Sequence, residues 1–294
     1  MNDMAEGMSG IMGHIIRTVE RANPPEDGDY IDEEGFLCCG KCHTRRQVEI
    51  DMPDLSRKPY DPAVTIRRKV PVSCRCRAEA QQKEEEITAI RALKKQSLMD
   101  ERLRGATFAT FRTTKENAWN LKLCRRFAEH FDEMLDKNQG LLFYGDVGTG
   151  KTFAAACIAN YLLERRVPVV MTSFVKLLDS MKGFRDEDES LIVRLNKAKL
   201  LIIDDLGAER GTDTALEKVY NIVDSRYRAE RPIILTTNLG MEEMKENLDI
   251  RYTRTYDRIF EMCYPMQFKG LSWRKGEAAR RFNDMKSFME GSDG

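Results

Sequence analysis

The sequence predicts an α/β fold, a parallel sheet flanked by helices, preceded by a small helical and zinc-ribbon-like region. Three observations carry this. Gly145-Asp146-Val147-Gly148-Thr149-Gly150-Lys151-Thr152 lies between the apolar run Leu141–Tyr144 and the Ala-rich run Phe153–Leu163. Leu200-Leu201-Ile202-Ile203 is apolar throughout and runs into Asp204-Asp205. Upstream, Cys39-x-x-Cys42 and Cys74-x-Cys76 stand in polar surroundings. Continuous apolar runs bounded by turn residues are what buried parallel strands look like. Their alternation with helices gives a doubly wound sheet with its ligand at the carboxyl ends of the strands.

At 294 residues the chain has room for one large domain or two smaller ones. Lys and Arg together number 48, as do Asp and Glu, so net charge points to no polyanionic partner. The distribution says more: residues 20–34 are acidic, while Arg67, Arg68, Lys69, Arg75 and Arg77 make 66–77 basic, and 249–281 is basic again. No apolar run approaches the roughly 18 residues of a membrane span. The polar start Met1–Gly13 does not read as a secretory leader. A cytoplasmic protein with no membrane partner is expected, and its eight cysteines are then thiols or metal ligands rather than disulfides.

Two domains are expected, 1–104 and 105–294. Met4, Met8, Ile11, Met12, Ile15, Ile16 and Val19 form an approximate helical stripe. It either packs on its own domain or offers an adaptable Met-rich docking face. Asn23-Pro24-Pro25 ends it. Within about 36–78, Cys39, Cys42, Cys74 and Cys76 form a candidate tetrahedral Zn²⁺ site, with Gly40 allowing the tight turn of the first pair. Cys38 and His43 are rival ligands, and unliganded surface thiols are the alternative. Val48, Ile50, Val64, Ile66, Val70 and Val72 supply short strands between the pairs. So small a region lacks a core, so the metal contributes much of its folding energy. Residues 77–104, rich in Ala, Glu, Gln, Lys and Arg, read as a polar linking helix ending near Gly105.

The second domain opens on Phe108 and Phe111, which pack against a base or against the core. Trp119, Leu123, Phe127, Phe131 and Leu135 follow at helical spacing over 116–138 and read as core. In the glycine loop, Gly145, Gly148, Thr149 and Gly150 turn backbone N–H groups toward one point, at the positive end of the next helix. That arrangement suits a triphosphate. Lys151 reaches the β- and γ-phosphates and Thr152 offers its hydroxyl to Mg²⁺. Asp204 holds Mg²⁺ through water, and Asp205 polarises the attacking water as general base. Pro232–Thr237 is a further buried strand, and Asn238 at its tip orients that water. Arg251, Arg254, Arg258 and Arg274 are the candidate sources of further positive charge.

Together these residues resemble the AAA+ ATPases, and within them the replicative helicase loaders of the DnaC/DnaI type and the related IstB-type transposition helpers. The likeness covers about 106–282. It rests on a Walker A run at 145–152, a Walker B run ending Asp204-Asp205-Leu206-Gly207, and Leu235-Thr236-Thr237-Asn238 as sensor 1. Arg254-Thr255-Tyr256-Asp257-Arg258 looks like the arginine-finger helix, and Gly270-Leu271-Ser272-Trp273-Arg274 like sensor 2. The resemblance implies that Arg258 acts in trans on a neighbour's ATP, with Arg254 as rival, and that Arg274 acts in cis. It implies self-association through the ATP sites, binding of single-stranded DNA, and delivery of a hexameric replicative helicase. ATP hydrolysis is then Mg²⁺-dependent, slow, and stimulated by assembly or DNA. Lys176, Lys182 and Arg185 lie where such proteins contact DNA. Asp-Asp replaces the common Asp-Glu, which suits slow hydrolysis. A transposition helper and an ATP-switched adaptor with negligible turnover are the other readings.

Overall fold

The structure, a computed structural model, describes residue 18 and residues 23–54, 63–181, 185–207, 213–246, 250–270 and 272–291. The Met-rich N-terminal stripe and Lys182 lie outside these, as does the side chain of Arg185. The chain divides into two compact units, Met1–Thr88 and Ala89–Gly294.

In the first unit, β1 (Tyr30–Ile31) pairs with β2 (Leu37–Cys38), and β3 (Gln47–Pro53) with β4 (Thr65–Pro71), both antiparallel. The second ribbon realises the expected short strands. Its register sets Val48 against Val70 and Met52 against Ile66 on one face. Glu49 against Lys69 and Asp51 against Arg67 occupy the other, the opposite-charge cross-strand pairing that stabilises a ladder. Met52 is buried, but Val48, Ile50 and Ile66 are each 42% exposed, so the ribbon has little core beneath it. Arg46 is buried in an ion pair with Asp29 and donates to Pro24 O (2.7 Å), tying the chain at 24–29 to the cysteine turn.

Helix α1 (Arg75–Gln96) has no buried residue. It stops well short of Gly105. The Ser97 hydroxyl donates back to Lys94 O (2.7 Å), and Leu98 takes a left-handed φ of 58°. Ser97 O then accepts from Met171 N (2.8 Å), so the chain leaves the helix to run beside the sheet. Met99 and Leu103 are buried in the second unit's core, which therefore begins upstream of residue 105.

That unit holds five parallel strands in the order β6-β7-β8-β5-β9. They are β5 (Gly140–Tyr144), β6 (Val169–Ser173), β7 (Leu200–Leu206), β8 (Ile233–Thr237) and β9 (Cys263–Gln267). Side chains alternate across the sheet and feed two apolar layers. Leu141, Phe143, Ile202 and Ile234 meet α2 (Ala118–Glu129) and α4 (Lys151–Glu164) through Cys124, Phe127, Ile158 and Leu162. Leu142, Leu201, Ile203 and Leu235 meet the other layer. There α5 (Phe174–Ser180), α7 (Asp213–Arg228) and α9 (Ile250–Met262) contribute Phe174, Leu177, Val219, Ile222 and Ile259. Helices α3 (Phe131–Asp136), α6 (Arg185–Lys197), α8 (Met241–Lys245) and α10 (Trp273–Met289) complete the described elements. The expected single helix over 116–138 is broken at His130, and Trp119 lies outside the core at 62% exposure, with Lys122 over its ring.

Candidate functional site

The carboxyl ends of β5, β7 and β8 converge on the loop Gly145–Gly150. Gly145 and Gly148 have φ of 124° and 84°, which side chains of L-residues rarely adopt. A Cβ at Gly145 would lie 2.3 Å from Phe268 O, and one at Gly148 would lie 2.1 Å from Ser272 Oγ. Thr149 Oγ1 closes the loop by donating to Asp146 O (2.8 Å). Helix α4 begins directly at Lys151, so its unpaired N–H groups and positive dipole end face the loop.

Lys151 is buried. Its ammonium donates to Gly145 O (2.6 Å), Asp146 O (2.8 Å) and Asn238 Oδ1 (2.9 Å), which links the loop to the tip of β8. Burial lowers its pKa, while the carboxylates of Asp205 and Asp204 oppose that shift. Thr152 Oγ1 donates to Asp204 Oδ1 (2.8 Å), and Thr236 Oγ1 donates to the same oxygen (2.6 Å). Burial pushes the Asp204 carboxyl up, and the two hydroxyls pull it back. A carboxylate and a threonine hydroxyl on adjoining strand and helix ends are the hard oxygen ligands Mg²⁺ takes, usually alongside waters.

A cavity of about 500 Å³ opens here, within the range that accepts a nucleotide-sized ligand. Lys151, Thr152, Asp205, Asn238 and Arg274 line it, together with Leu103, Phe111, Phe153 and Trp273. Charged groups and apolar rings in one cleft match a ligand with a polyanionic tail and a flat base. Phe111 is buried against Phe153 (ring centroids 5.7 Å), as the core expectation has it, and also lines the cavity. Phe108 instead packs on Tyr161. Trp273 N donates to Gly148 O (3.0 Å), and Arg112 lies over the indole at 5.8 Å. Thr236 falls within the run expected as sensor 1, whereas Arg102, Arg112 and Phe153 were given no role from the sequence. Nothing in their local pattern marks them, because only the fold brings them to the cleft.

The candidate arginines separate. Arg274 reaches the cavity. Arg258 does not line it: it pairs with Asp224 Oδ1 (2.7 Å) and lies over Tyr220 (4.7 Å) and Tyr227 (5.6 Å). Arg254, on the same helix, is exposed. Of the residues expected to meet DNA, Lys176 is ion-paired with Asp100.

In the first unit the sulfurs of Cys39, Cys42, Cys74 and Cys76 all lie within 4.8 Å of one another. Cys39 Sγ is 3.7 Å and Cys74 Sγ 3.4 Å from Cys76 Sγ. Four thiolates at the usual Zn–S length of about 2.3 Å would stand about 3.8 Å apart, so the donor set fits tetrahedral zinc. The rivals are engaged elsewhere. Cys38 Sγ faces Asp32 Oδ2 and Phe36 O, both at 3.7 Å, and His43 Nδ1 faces the Tyr30 hydroxyl at 3.3 Å. Thr44 Oγ1 accepts from Arg75 N (3.1 Å), which leaves its proton for Cys42 Sγ at 3.0 Å. That hydroxyl, with the backbone of Cys76, holds the Cys42 thiol down at about 5, the ionised form a metal requires. Cys76 is pushed up to about 12 by the thiols of Cys74 and Cys42.

Among the described residues no helix is long and apolar enough to cross a membrane. Residues 82–280 match the family model described as IstB-like ATP binding protein. The replicative helicase loader DnaC of Escherichia coli (strain K12) is 35% identical over 152 residues, 49% of this chain and 60% of that protein. The replicative helicase loader DnaI of Bacillus subtilis (strain 168) is 28% identical over 151 residues, 47% of this chain and 48% of that protein. The chain thus spans less than two thirds of the length of these curated relatives. The crystal structure of DnaI shares the fold at a TM-score of 0.52 and 24% identity, over 60% of this chain and 97% of that one. With a match of that extent over the glycine loop, the two carboxylates and Asn238, the chain belongs to the IstB-like ATP-binding protein family.

Proposed function

We propose that this chain is an ATPase that loads a hexameric replicative DNA helicase onto single-stranded DNA. The observation that carries the ATPase part is the convergence of Lys151, Thr152, Asp205, Asn238 and Arg274 on one cavity beside Asp204. The loader part rests on likeness to DnaC and DnaI.

In this reading the loop N–H groups and Lys151 bind the triphosphate, and Lys151 exchanges its loop carbonyls for phosphate oxygens. Thr152 and Asp204 would hold Mg²⁺, which would supply positive charge against the phosphates. Asp205 takes the proton from the attacking water, which Asn238 orients. Arg274 stabilises the negative charge that develops as the γ-phosphoryl leaves. Arg258 completes a neighbouring subunit's site once it releases Asp224; Arg254, already exposed, is the rival and needs no such release. Turnover is slow until assembly or DNA brings the finger in. The region within 1–104, with structural zinc on Cys39, Cys42, Cys74 and Cys76, docks the helicase, and the ATPase domain over 105–294 also takes in Met99 and Leu103 just upstream.

Three measurements test this. Lys151→Ala abolishes binding of a fluorescent ATP analogue. Arg258→Ala keeps that binding and loses turnover; unchanged turnover with a defect in Arg254→Ala would transfer the role to Arg254. The chain retains the replicative helicase of its own cell in a pull-down, and its ATPase rate rises with single-stranded DNA. The family description favours one further reading, a transposition helper. Retention of a transposase with no retention of the helicase would establish it.

A further inference from the structure

Strand β8 ends in Thr236 and Thr237, whose side chains alternate across the sheet and are both fully buried. Thr237 stitches backbone only: its hydroxyl donates to Leu206 O (2.7 Å) and accepts from Leu239 N (3.1 Å). Thr236 differs. The pairing of β7 with β8 shifts between Ile203 and Leu206, so β7 carries extra chain at Asp204-Asp205, as in a bulge. Asp205 sits there at a left-handed φ of 59°. Its N–H donates to Thr236 Oγ1 (3.1 Å). The Thr236 proton goes to Asp204 Oδ1 (2.6 Å). A hydroxyl has one proton, so accepting from one aspartate fixes its donation to the other. With Thr152 on the same Oδ1, Asp204 Oδ2 is the oxygen that makes no hydrogen bond to a described residue.

The geometry points to Thr236 as a positioning residue of the hydrolytic site, whose single hydroxyl sets the magnesium-side carboxylate Asp204 and the water-side residue Asp205 in register with each other. This rests on the ATPase reading above. Asn238 acts at the water and Lys151 at the phosphates, whereas Thr236 acts only through the two aspartates. Strain at the Asp205 backbone is the reason it is needed. Without the Thr236 hydroxyl an Asp held in the left-handed region at a bulge has competing arrangements, and the two carboxylates move independently.

The test compares wild type with Thr236→Val, which keeps the shape and removes the hydroxyl, and Thr236→Ser, which keeps the hydroxyl. Each is measured for ATP turnover and for binding of a fluorescent ATP analogue in Mg²⁺ and in EDTA. Loss of an outer hydrogen bond to a metal ligand typically costs about 10–100-fold. Thr236→Val is expected to lose turnover by about that factor and to lose a similar part of the Mg²⁺-dependent gain in analogue affinity. Its affinity in EDTA stays at the wild-type value, because the hydrogen bonds of Thr236 go to Asp204 and Asp205 and those of Lys151 to Gly145, Asp146 and Asn238. Thr236→Ser restores most of both. Wild-type turnover and Mg²⁺ dependence in Thr236→Val would overturn the assignment, as would an equal loss of affinity in EDTA, which marks general damage to the site. If Thr236→Val does not fold, Thr236→Ala is measured in the same way. A wild type that binds the analogue but never hydrolyses ATP would instead remove the ATPase reading.

Discussion

Between Ala89 and Gly294 the chain buries two apolar layers against a five-stranded sheet, with Leu142, Phe143, Leu201 and Ile234 fully covered. Among the described residues of Met1–Thr88, the buried apolar side chains are Cys38, Cys39, Met52 and Cys74. Two of those four belong to the sulfur cluster. The larger unit is thus held by area removed from water, at roughly 25 cal/mol per Å². The smaller one has, among its described residues, two short ribbons, the buried Arg46–Asp29 ion pair and a cluster of four thiols. The same chain therefore uses two kinds of stability, one distributed over dozens of side chains and one concentrated at a point.

The largest expected effect follows from that concentration. Protein prepared under reducing conditions carries about one zinc per chain, and a strong chelator removes it along with the amide-exchange protection of 23–88. Zinc binding in small domains is worth about 10–16 kcal/mol as folding free energy, so nothing else there replaces it. Binding of an ATP analogue by the larger unit survives the same treatment. Metal-free protein with full protection in 23–88 would break the contrast. Next in size, Phe143→Ala removes a buried ring 4.9 Å from Phe268 and destabilises the larger unit by about 3–5 kcal/mol in denaturant titration, leaving zinc content unchanged. The smallest effect belongs to the surface. Lys94 and Glu164 pair at 3.4 Å with side chains 33% and 52% exposed, and Lys94→Ala costs under about 1 kcal/mol, less in high salt.

How much of this was legible in the sequence follows the range of the interactions. The glycine loop, the strand ending at Asp204-Asp205 and the Asn238 strand are local patterns, and the sheet order places them together as expected. The four sulfurs were legible as well, although Cys74-x-Cys76 departs from the usual spacing, because the antiparallel pairing of β3 with β4 returns the chain to the first pair. The choice against Cys38 and His43 was not legible, since it depends on Asp32 and Tyr30 claiming them. Helix composition carried the linking helix past Gln96, but Ser97 is claimed by Met171 of a distant strand. Arg258 shows the same limit: its spacing names it, and only the packing of α7 on α9 reveals that Asp224 already holds it.

Gly148 has a mechanical consequence. Its missing side chain leaves the room that Ser272 occupies, and its carbonyl anchors the N–H of Trp273, so the phosphate loop and the root of α10 touch with nothing between them. Helix α10 has 17 residues and, at 1.5 Å per residue, is about 25 Å long. Anchored at the phosphate loop it forms a long arm, on which a tilt of about 10° would carry the far end through about 4 Å. That far end bears Phe282, Met285, Phe288 and Met289, each at least 60% exposed.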